Sequence, residues 1–189
     1  MSTVLKTIKS GIHHYRKLSV RNRALLWVVV LVIGVIILPP VIDKEIHRNQ
    51  SVKMYFTVPN TTVSVGETFP LELRVQTGGQ AINAVGSIIH FNPLYLEVVS
   101  MTTDKSFCSF YLDNTFDTIK GEVKVTCGTP SPGFTGDSLV VHLNMRAKIL
   151  GTTTVSVDPA NTNALANDGK GTNILGTHPD LELTINQFL

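Results

Sequence analysis

From Met54 onward, apolar and polar residues alternate with a period of two, the pattern of strands that bury one face. The longest run covers residues 139–149, where alternation places Ile149 on the apolar face and Val140 on the opposite one. Residues 71–75 alternate in the same way. The pattern predicts strands near 54–58, 62–65, 71–75, 84–91, 96–102, 106–112, 121–127, 139–149, 153–157 and 181–188.

Turn signals separate these runs, among them Pro59-Asn60, Thr77-Gly78-Gly79 and Asn92-Pro93. About nine or ten short strands with one polar face predict an all-β fold, an antiparallel sandwich or jelly roll. The strand-rich region is long enough to bury one core of this kind, so we expect a single domain at 53–189.

The two cysteines lie on predicted neighbouring strands. If 106–112 and 121–127 pair as a hairpin, one antiparallel register places Cys108 opposite Cys127 on the apolar face. Opposite Cβ atoms are close enough for a bridge after slight local closing, and such a bond persists outside the cytoplasm. A disulfide between Cys108 and Cys127 is therefore the favoured interpretation, and two buried free thiols are the alternative.

Four aromatic residues in or beside the same hairpin, Phe107, Phe110, Tyr111 and Phe116, could form a platform on which a sugar stacks. Alternation predicts that Phe110 points inward and that Phe107 and Tyr111 point outward. The alternative, which we favour, is that the outward rings pack under a neighbouring loop.

The region before the strands has a different character. Residues 24–38 are uncharged and apolar, and Trp27 stands near the start of the run, where an interfacial aromatic residue is common. With the following residues to 42, the run approaches the ~20 residues that a membrane-spanning helix needs. It predicts a basic cytoplasmic tail at 1–23, a transmembrane helix at 24–42 and a polar linker at 43–52.

The distribution of charge predicts how this helix is oriented across the membrane. Residues 1–42 carry six Lys or Arg and no acid, whereas residues 43–189 carry 10 Lys or Arg against 14 Asp or Glu. The positive-inside rule then predicts a single-pass cell-membrane protein with its N-terminus in the cytoplasm and its C-terminal domain outside. A cleaved signal peptide and a buried core helix are the alternatives, but no small-x-small site follows the run. The acidic C-terminal part argues against nucleic acid as a partner.

Several segments of the predicted domain, taken in their order along the chain, resemble the segments of a known domain family. They are Thr62-Val-Ser-Val-Gly-Glu-Thr68, Ala84-Val-Gly-Ser-Ile-Ile-His-Phe-Asn-Pro93, Leu96-Glu-Val-Val99, Gly151-Thr-Thr-Thr-Val155 and Ala164-Leu-Ala-Asn-Asp-Gly-Lys-Gly171. The ordered set resembles a cohesin domain, the module that holds dockerins in bacterial cellulosomes, with Asn92 where the family usually has Asp. It is similar above all to membrane-anchored proteins with a single cohesin, which share the two-cysteine hairpin and the Pro-x-Pro-Gly loop.

The resemblance implies a jelly roll related to carbohydrate-binding modules and a non-enzymatic role at the cell surface. Attachment of a protein partner, either a dockerin or another surface protein, is the first hypothesis. Binding of a polysaccharide, in the context of polysaccharide catabolism, is the second. No nucleophile elbow, P-loop, HExxH or paired-cysteine zinc motif occurs in the sequence, which favours binding over catalysis.

One loop has residues that suit either a turn or a ligand. Asn167, Asp168, Gly169 and Gly171 could offer oxygen atoms to Ca²⁺, but the EF-hand spacing and its terminal Glu are missing. A Gly-rich turn is the favoured interpretation, and no cofactor or other metal is expected.

Overall fold

The computed structural model describes residues 52–187 and, near the N-terminus, Asn22 and Trp27, which are both helical. Apart from these two positions, the predicted tail (1–23) and transmembrane helix (24–42) lie outside the described residues, as does the linker up to residue 51. In the part of the chain that is described, no helix is long and apolar enough to cross a membrane.

Residues 52–187 contain twelve strands where the sequence predicted about nine or ten. They are β1 (Val52–Thr57), β2 (Thr62–Ser64), β3 (Thr68–Gln76), β4 (Ile82–Phe91), β5 (Leu96–Thr102), β6 (Phe110–Asp117), β7 (Glu122–Gly128), β8 (Asp137–Ala147), β9 (Gly151–Val157), β10 (Asn163–Ala166), β11 (Leu175–Thr177) and β12 (Asp180–Asn186).

The strands form a sandwich of two sheets, as predicted. One sheet has five strands in the order β11-β1-β3-β8-β5. The other has the order β2-β12-β9-β4-β7-β6, and β10 pairs with β4 beside this path. Two pairs, β1 with β11 and β2 with β12, are parallel, and the remaining pairs in the described region are antiparallel.

The core lies between the sheets and follows from the alternation. In β3, Leu71, Leu73 and Val75 are fully buried, whereas the residues between them reach the outer surface. The facing sheet contributes Ile89, Val123, Val125, Val155 and Leu183, all fully buried. Each such side chain stabilises the fold by about 1.5–3 kcal/mol relative to an exposed one, so the buried layer accounts for the two-sheet arrangement.

Two side chains of the predicted strand at 139–149 depart from the prediction, one because of a bulge in β8 and the other because β8 ends before it. Val140 was expected on the outer face, but a bulge in the pairing with β3 leaves it buried beside Leu139 and Val141. Ile149 was expected in the core and is 47% exposed instead. The strand ends at Ala147, where the backbone turns toward β9.

The hairpin of β6 and β7 forms in a different register from the predicted one. The turn covers residues 118–121 because the Asp117 carboxylate accepts hydrogen bonds from the Ile119 and Lys120 amides, both 3.0 Å long. Gly121 has a φ of 71°, and a Cβ there would lie 2.1 Å from the Phe91 carbonyl oxygen, so only glycine fits.

As a result, Tyr111 rather than Cys108 lies opposite Cys127, and a bulge follows Tyr111. Cys108 precedes β6, in a segment held beside β7 by the hydrogen bond from the Ser109 amide to the Gly128 carbonyl oxygen. The predicted disulfide is nevertheless present, with the Cα atoms of Cys108 and Cys127 5.8 Å apart. It joins a loop to a strand instead of two paired strands.

The sequence did not indicate β10 and β11. Both lie between β9 and β12, and they have four and three residues, which is too short for a visible alternation. β10 lines up along β4 where β9 has ended, and β11 extends the five-stranded sheet beyond β1.

The disulfide generates a stability prediction. The bond joins cysteines separated by 19 residues, and chain-entropy models give such a loop a stabilisation of about 3 kcal/mol. A Cys108→Ala/Cys127→Ala variant should therefore melt several degrees below the oxidised protein in a circular dichroism scan. Reductant should lower the melting temperature of the wild type and leave the variant unchanged. Free thiols at both positions in non-reducing peptide mapping would contradict the prediction.

Candidate functional site

The outer surface of the five-stranded sheet, called here the five-stranded face, carries charges that are paired with one another. The Arg74 guanidinium donates to the carboxylate of Asp137 at 2.8 Å and to that of Glu72 at 3.0 Å. The hydrogen bond to Asp137 is the main reason that the pKa of Arg74 is raised above its ordinary value. Tyr55 donates to the same Asp137, and His142 lies 3.4 Å from Glu72.

Polar side chains are also paired with one another on β5 and β8, at the other edge of this face. Arg146 pairs with Glu97 on the neighbouring strand, and the Asn144 amide donates to the Ser100 hydroxyl at 2.8 Å. The polar groups of the five-stranded face thus satisfy one another within the domain, which leaves few of them to bind a partner.

The outer surface of the other sheet, called here the seven-stranded face, has a different make-up. On this face, the pairing turns Glu122 and Lys124 of β7 and His90 of β4 outward. The rest of its centre consists of small, apolar and hydroxyl side chains on β4, β7 and β9. These residues are Ala84, Gly86, Ile88, Thr126, Gly128, Thr154 and Ser156. The strand pairing places Ala84 opposite Gly128 and Gly86 opposite Thr126, so the smallest residues lie side by side. Gly86 is buried, and a Cβ there would lie 3.3 Å from the Asn163 side chain, which covers it.

The edge strand β6 adds an aromatic side chain to this face. A Cβ on Gly128 would lie 2.6 Å from the Phe110 ring, so the ring covers the glycine. Phe110 is 49% exposed, although the sequence predicted it to point inward. Phe110 points outward because the shifted register places it opposite Gly128, on the outer side of the sheet.

The four aromatic residues proposed as a sugar platform lie in separate environments. Phe107 stacks on Phe134 with ring centroids 4.7 Å apart, so it packs against a neighbouring loop as the favoured alternative expected. Tyr111 was predicted to point outward but packs against the core, because the shifted register places it opposite the buried Cys127. Phe116 lies opposite the buried Val123, on the inner side of β6. Together with the outward Phe110, these rings do not form one stacking surface.

The loop at 167–171 has the geometry of a side-chain-capped turn. One carboxylate oxygen of Asp168 accepts the Lys170 amide at 2.8 Å, and the other accepts the Thr172 hydroxyl at 2.5 Å. These contacts, that to Thr172 first, lower the pKa of Asp168 below its ordinary value. Gly169 and Gly171 both have a positive φ, at 68° and 72°.

Asn167 also serves the local structure, since its side-chain amide donates to the Pro132 carbonyl oxygen at 2.8 Å. Within the described region, no group of three or more His, Cys, Asp or Glu side chains is placed to hold a metal ion. Calcium binding by this loop stays an untested hypothesis.

Comparison with known proteins gives a consistent result for the fold. No protein-family model and no curated protein matches the sequence. Among solved structures, a cohesin module from a family 33 glycoside hydrolase of Clostridium perfringens matches with a TM-score of 0.55 and 20% identity, over 73% of this chain and 99% of that one. A non-cellulosomal cohesin from Archaeoglobus fulgidus matches with a TM-score of 0.56 and 13% identity, over 72% of this chain and 92% of that one.

A type I cohesin from Clostridium thermocellum, solved in complex with a dockerin, matches with a TM-score of 0.56 and 12% identity. That match covers 72% of this chain and 95% of the other. The domain has the cohesin fold.

The segments that carried the resemblance form defined structures in this cohesin-like domain. Glu67 accepts a hydrogen bond from the Ser64 amide at 2.7 Å and closes the turn after β2, where Gly66 has a φ of 83°. Asn92 accepts the Leu94 amide at 3.0 Å through its side-chain oxygen. An Asp carboxylate could accept the same bond, which explains why Asn is tolerated at this position.

The Asp168 turn of the cohesin-like domain predicts a pH-dependent effect. Because the pKa of Asp168 is lower in the folded state, its carboxylate stabilises the fold above the unfolded pKa of about 3.9. This stabilisation is lost as the pH falls through the folded pKa. Asp168→Asn should therefore lower the melting temperature at neutral pH and have progressively less effect toward pH ~2.

Thermal melts across this pH range provide the measurement, with Asp104→Asn as the matched control in another exposed loop. An equal loss for Asp168→Asn at both ends of the range would show that the carboxylate charge has no part in the turn.

Proposed function

We propose that this chain is a membrane-anchored, non-catalytic binding module that docks a dockerin-type protein on its seven-stranded face. The observation that supports this most directly is the contrast between the two faces of the sandwich. On the five-stranded face, Arg74 and Arg146 are already paired with acids of the same domain. The seven-stranded face instead presents small, apolar and hydroxyl groups around the Glu122–Lys124 pair, and a partner can cover the apolar groups among them at little cost in desolvation.

The rigidity of the face suits this role. Its central strands β4 and β7 carry fully buried residues on the inner side, including Ile89, Val123 and Val125, which fix their positions. A pre-formed surface loses little conformational freedom on binding, so more of the contact free energy is available for affinity. Solved cohesins with this fold include some in complex with dockerins, which supports a dockerin-type partner as the first choice.

Carbohydrate binding is the weaker candidate. It requires a row of exposed, coplanar aromatic rings, and the aromatic residues near the disulfide are dispersed, with Phe107 stacked on Phe134. A glycan array run beside the protein assays compares the two functions directly.

Docking on the seven-stranded face predicts a site-specific loss of binding. Full-length protein in detergent is immobilised and probed with a panel of recombinant dockerin modules by biolayer interferometry. Thr126→Trp places a neutral, bulky side chain at the centre of the face, and it should weaken binding at least about tenfold, a loss of about 1.4 kcal/mol. Thr57→Trp, on an exposed position of the five-stranded face, is the matched control and should leave binding unchanged.

Two results would count against docking on this face. One is a loss with Thr57→Trp but none with Thr126→Trp. The other is that no dockerin binds while the glycan array is positive. Circular dichroism melts of both variants establish that they are folded.

Anchoring makes a separate prediction. The apolar run at 24–38 would hold the chain in the bilayer, so full-length protein should resist carbonate extraction from membranes. The six basic residues before this run predict that the C-terminal domain lies outside. Protease added from outside should remove the cohesin-like domain. An Ile33→Arg/Ile36→Arg variant should become extractable, since each central Arg costs about 2.5–3.5 kcal/mol of insertion free energy. A mature N-terminus near residue 40 would indicate a cleaved signal peptide instead.

A further inference from the structure

One end of the sandwich has an apolar hollow on its surface, where the turn between β8 and β9 lies beside the turn after β2. This turn hollow has a volume of about 470 Å³ and is lined by Val65, Lys148, Ile149, Leu150 and Gln187. Ile149 is 47% exposed and Leu150 is 53% exposed, so two large aliphatic side chains meet water side by side. Contiguous exposed apolar groups mark an interaction surface, whereas single ones need no explanation.

The hydrogen bonding of β12 directs the chain toward this hollow. On one side of β12, Ile185 lies opposite Gly151, the first residue of β9. On the other side, the Val65 amide donates to the Asn186 carbonyl oxygen at 2.9 Å. The end of β12 is therefore held between the two turns, and Gln187 lies in the lining of the hollow.

The residues that follow Gln187 are apolar. They are Phe188 and Leu189, which lie outside the described residues. A chain extends by at most about 3.6 Å per residue, so Phe188 is joined to the chain directly at the hollow. An apolar cavity of roughly 150 Å³ holds a benzene molecule, and the turn hollow is larger than that.

We propose that the turn hollow is an intramolecular docking site for the side chain of Phe188. The ring covers Ile149 and Leu150, and an aromatic side chain buries about 150–250 Å² when it is fully packed. The contact fastens the end of β12 to the β8–β9 turn. It also covers apolar surface that would otherwise be open to other molecules.

A second copy of this domain is the rival occupant of the turn hollow. The Phe188 ring has the advantage because it is tethered at the hollow, which makes the encounter intramolecular. Short flexible tethers give effective concentrations in the millimolar range. A second copy instead loses translational and rotational freedom when it binds.

A double-mutant cycle on full-length protein in detergent tests the contact. Phe188→Ala should lower the melting temperature of the domain by about 2–5 °C, because Ile149 and Leu150 lose their cover. Leu150→Ala should lower it by a similar amount in the wild type and by much less in the Phe188→Ala background. Substitutions of residues that contact each other are not additive, so this coupling reports the contact itself.

The matched control is Leu94→Ala. Leu94 is 66% exposed in the turn between β4 and β5, and it does not line the hollow. Its effect on the melting temperature should be the same with and without the Phe188 ring.

Nuclear magnetic resonance gives a second measurement that does not depend on melting. Nuclear Overhauser effects should connect the ring protons of Phe188 with the methyl groups of Ile149 and Leu150. The amides of residues 148–150 should exchange with solvent about tenfold faster in Phe188→Ala than in the wild type, and Leu94→Ala should leave them unchanged.

The proposal requires both the coupling and the Overhauser effects, and the absence of either overturns it. Sedimentation identifies the rival occupant. If the protein forms dimers as its concentration rises and Phe188→Ala abolishes them, the ring enters the hollow of a second copy and the intramolecular site is wrong. None of these outcomes bears on docking at the seven-stranded face, which Thr126→Trp tests separately.

Discussion

The apolar layer between the two sheets determines the direction of every side chain on the strands. Successive residues of a strand point to opposite sides, so burying Leu71 and Leu73 of β3 places Glu72 and Arg74 on the outside. The same rule applies to β4, where burial of Ser87 and Ile89 turns Gly86 and Ile88 outward. The composition of the two outer faces is thus a direct consequence of how the core is packed, and the candidate site depends on that packing.

The regular part of this arrangement could be predicted from the sequence. Strands with clear alternation, such as β3, β7 and most of β8, were predicted close to their observed positions. The irregular parts could not, because a bulge inserts one residue without changing the local composition. The bulge in β8 buries Val140, and the bulge after Tyr111 shifts the hairpin. The register of the β6–β7 hairpin depends on the Asp117 turn, and the alternation of apolar and polar residues does not show where that turn lies.

The candidate site was harder to predict than the fold. Ile88, Thr126 and Ser156 are ordinary strand residues, and only the pairing of β7, β4 and β9 shows that they lie together. The charge count of residues 43–189 gave the sign of the domain's net charge but not the positions of the charges on its surface. The disulfide was predicted correctly from a register that proved wrong, since Cys108 reaches Cys127 from a loop.

The division of the N-terminal segment between the sheets has a mechanical consequence. β1 lies in the five-stranded sheet and β2 in the other, and residues 58–61 connect them. A load applied at Val52 along the strand direction acts in shear on the whole β1–β3 ladder, so its hydrogen bonds resist together and do not open one at a time. The next segment to be loaded is β2, which is paired with the C-terminal strand β12 in parallel. The polypeptide that enters the domain is therefore held by both sheets in succession.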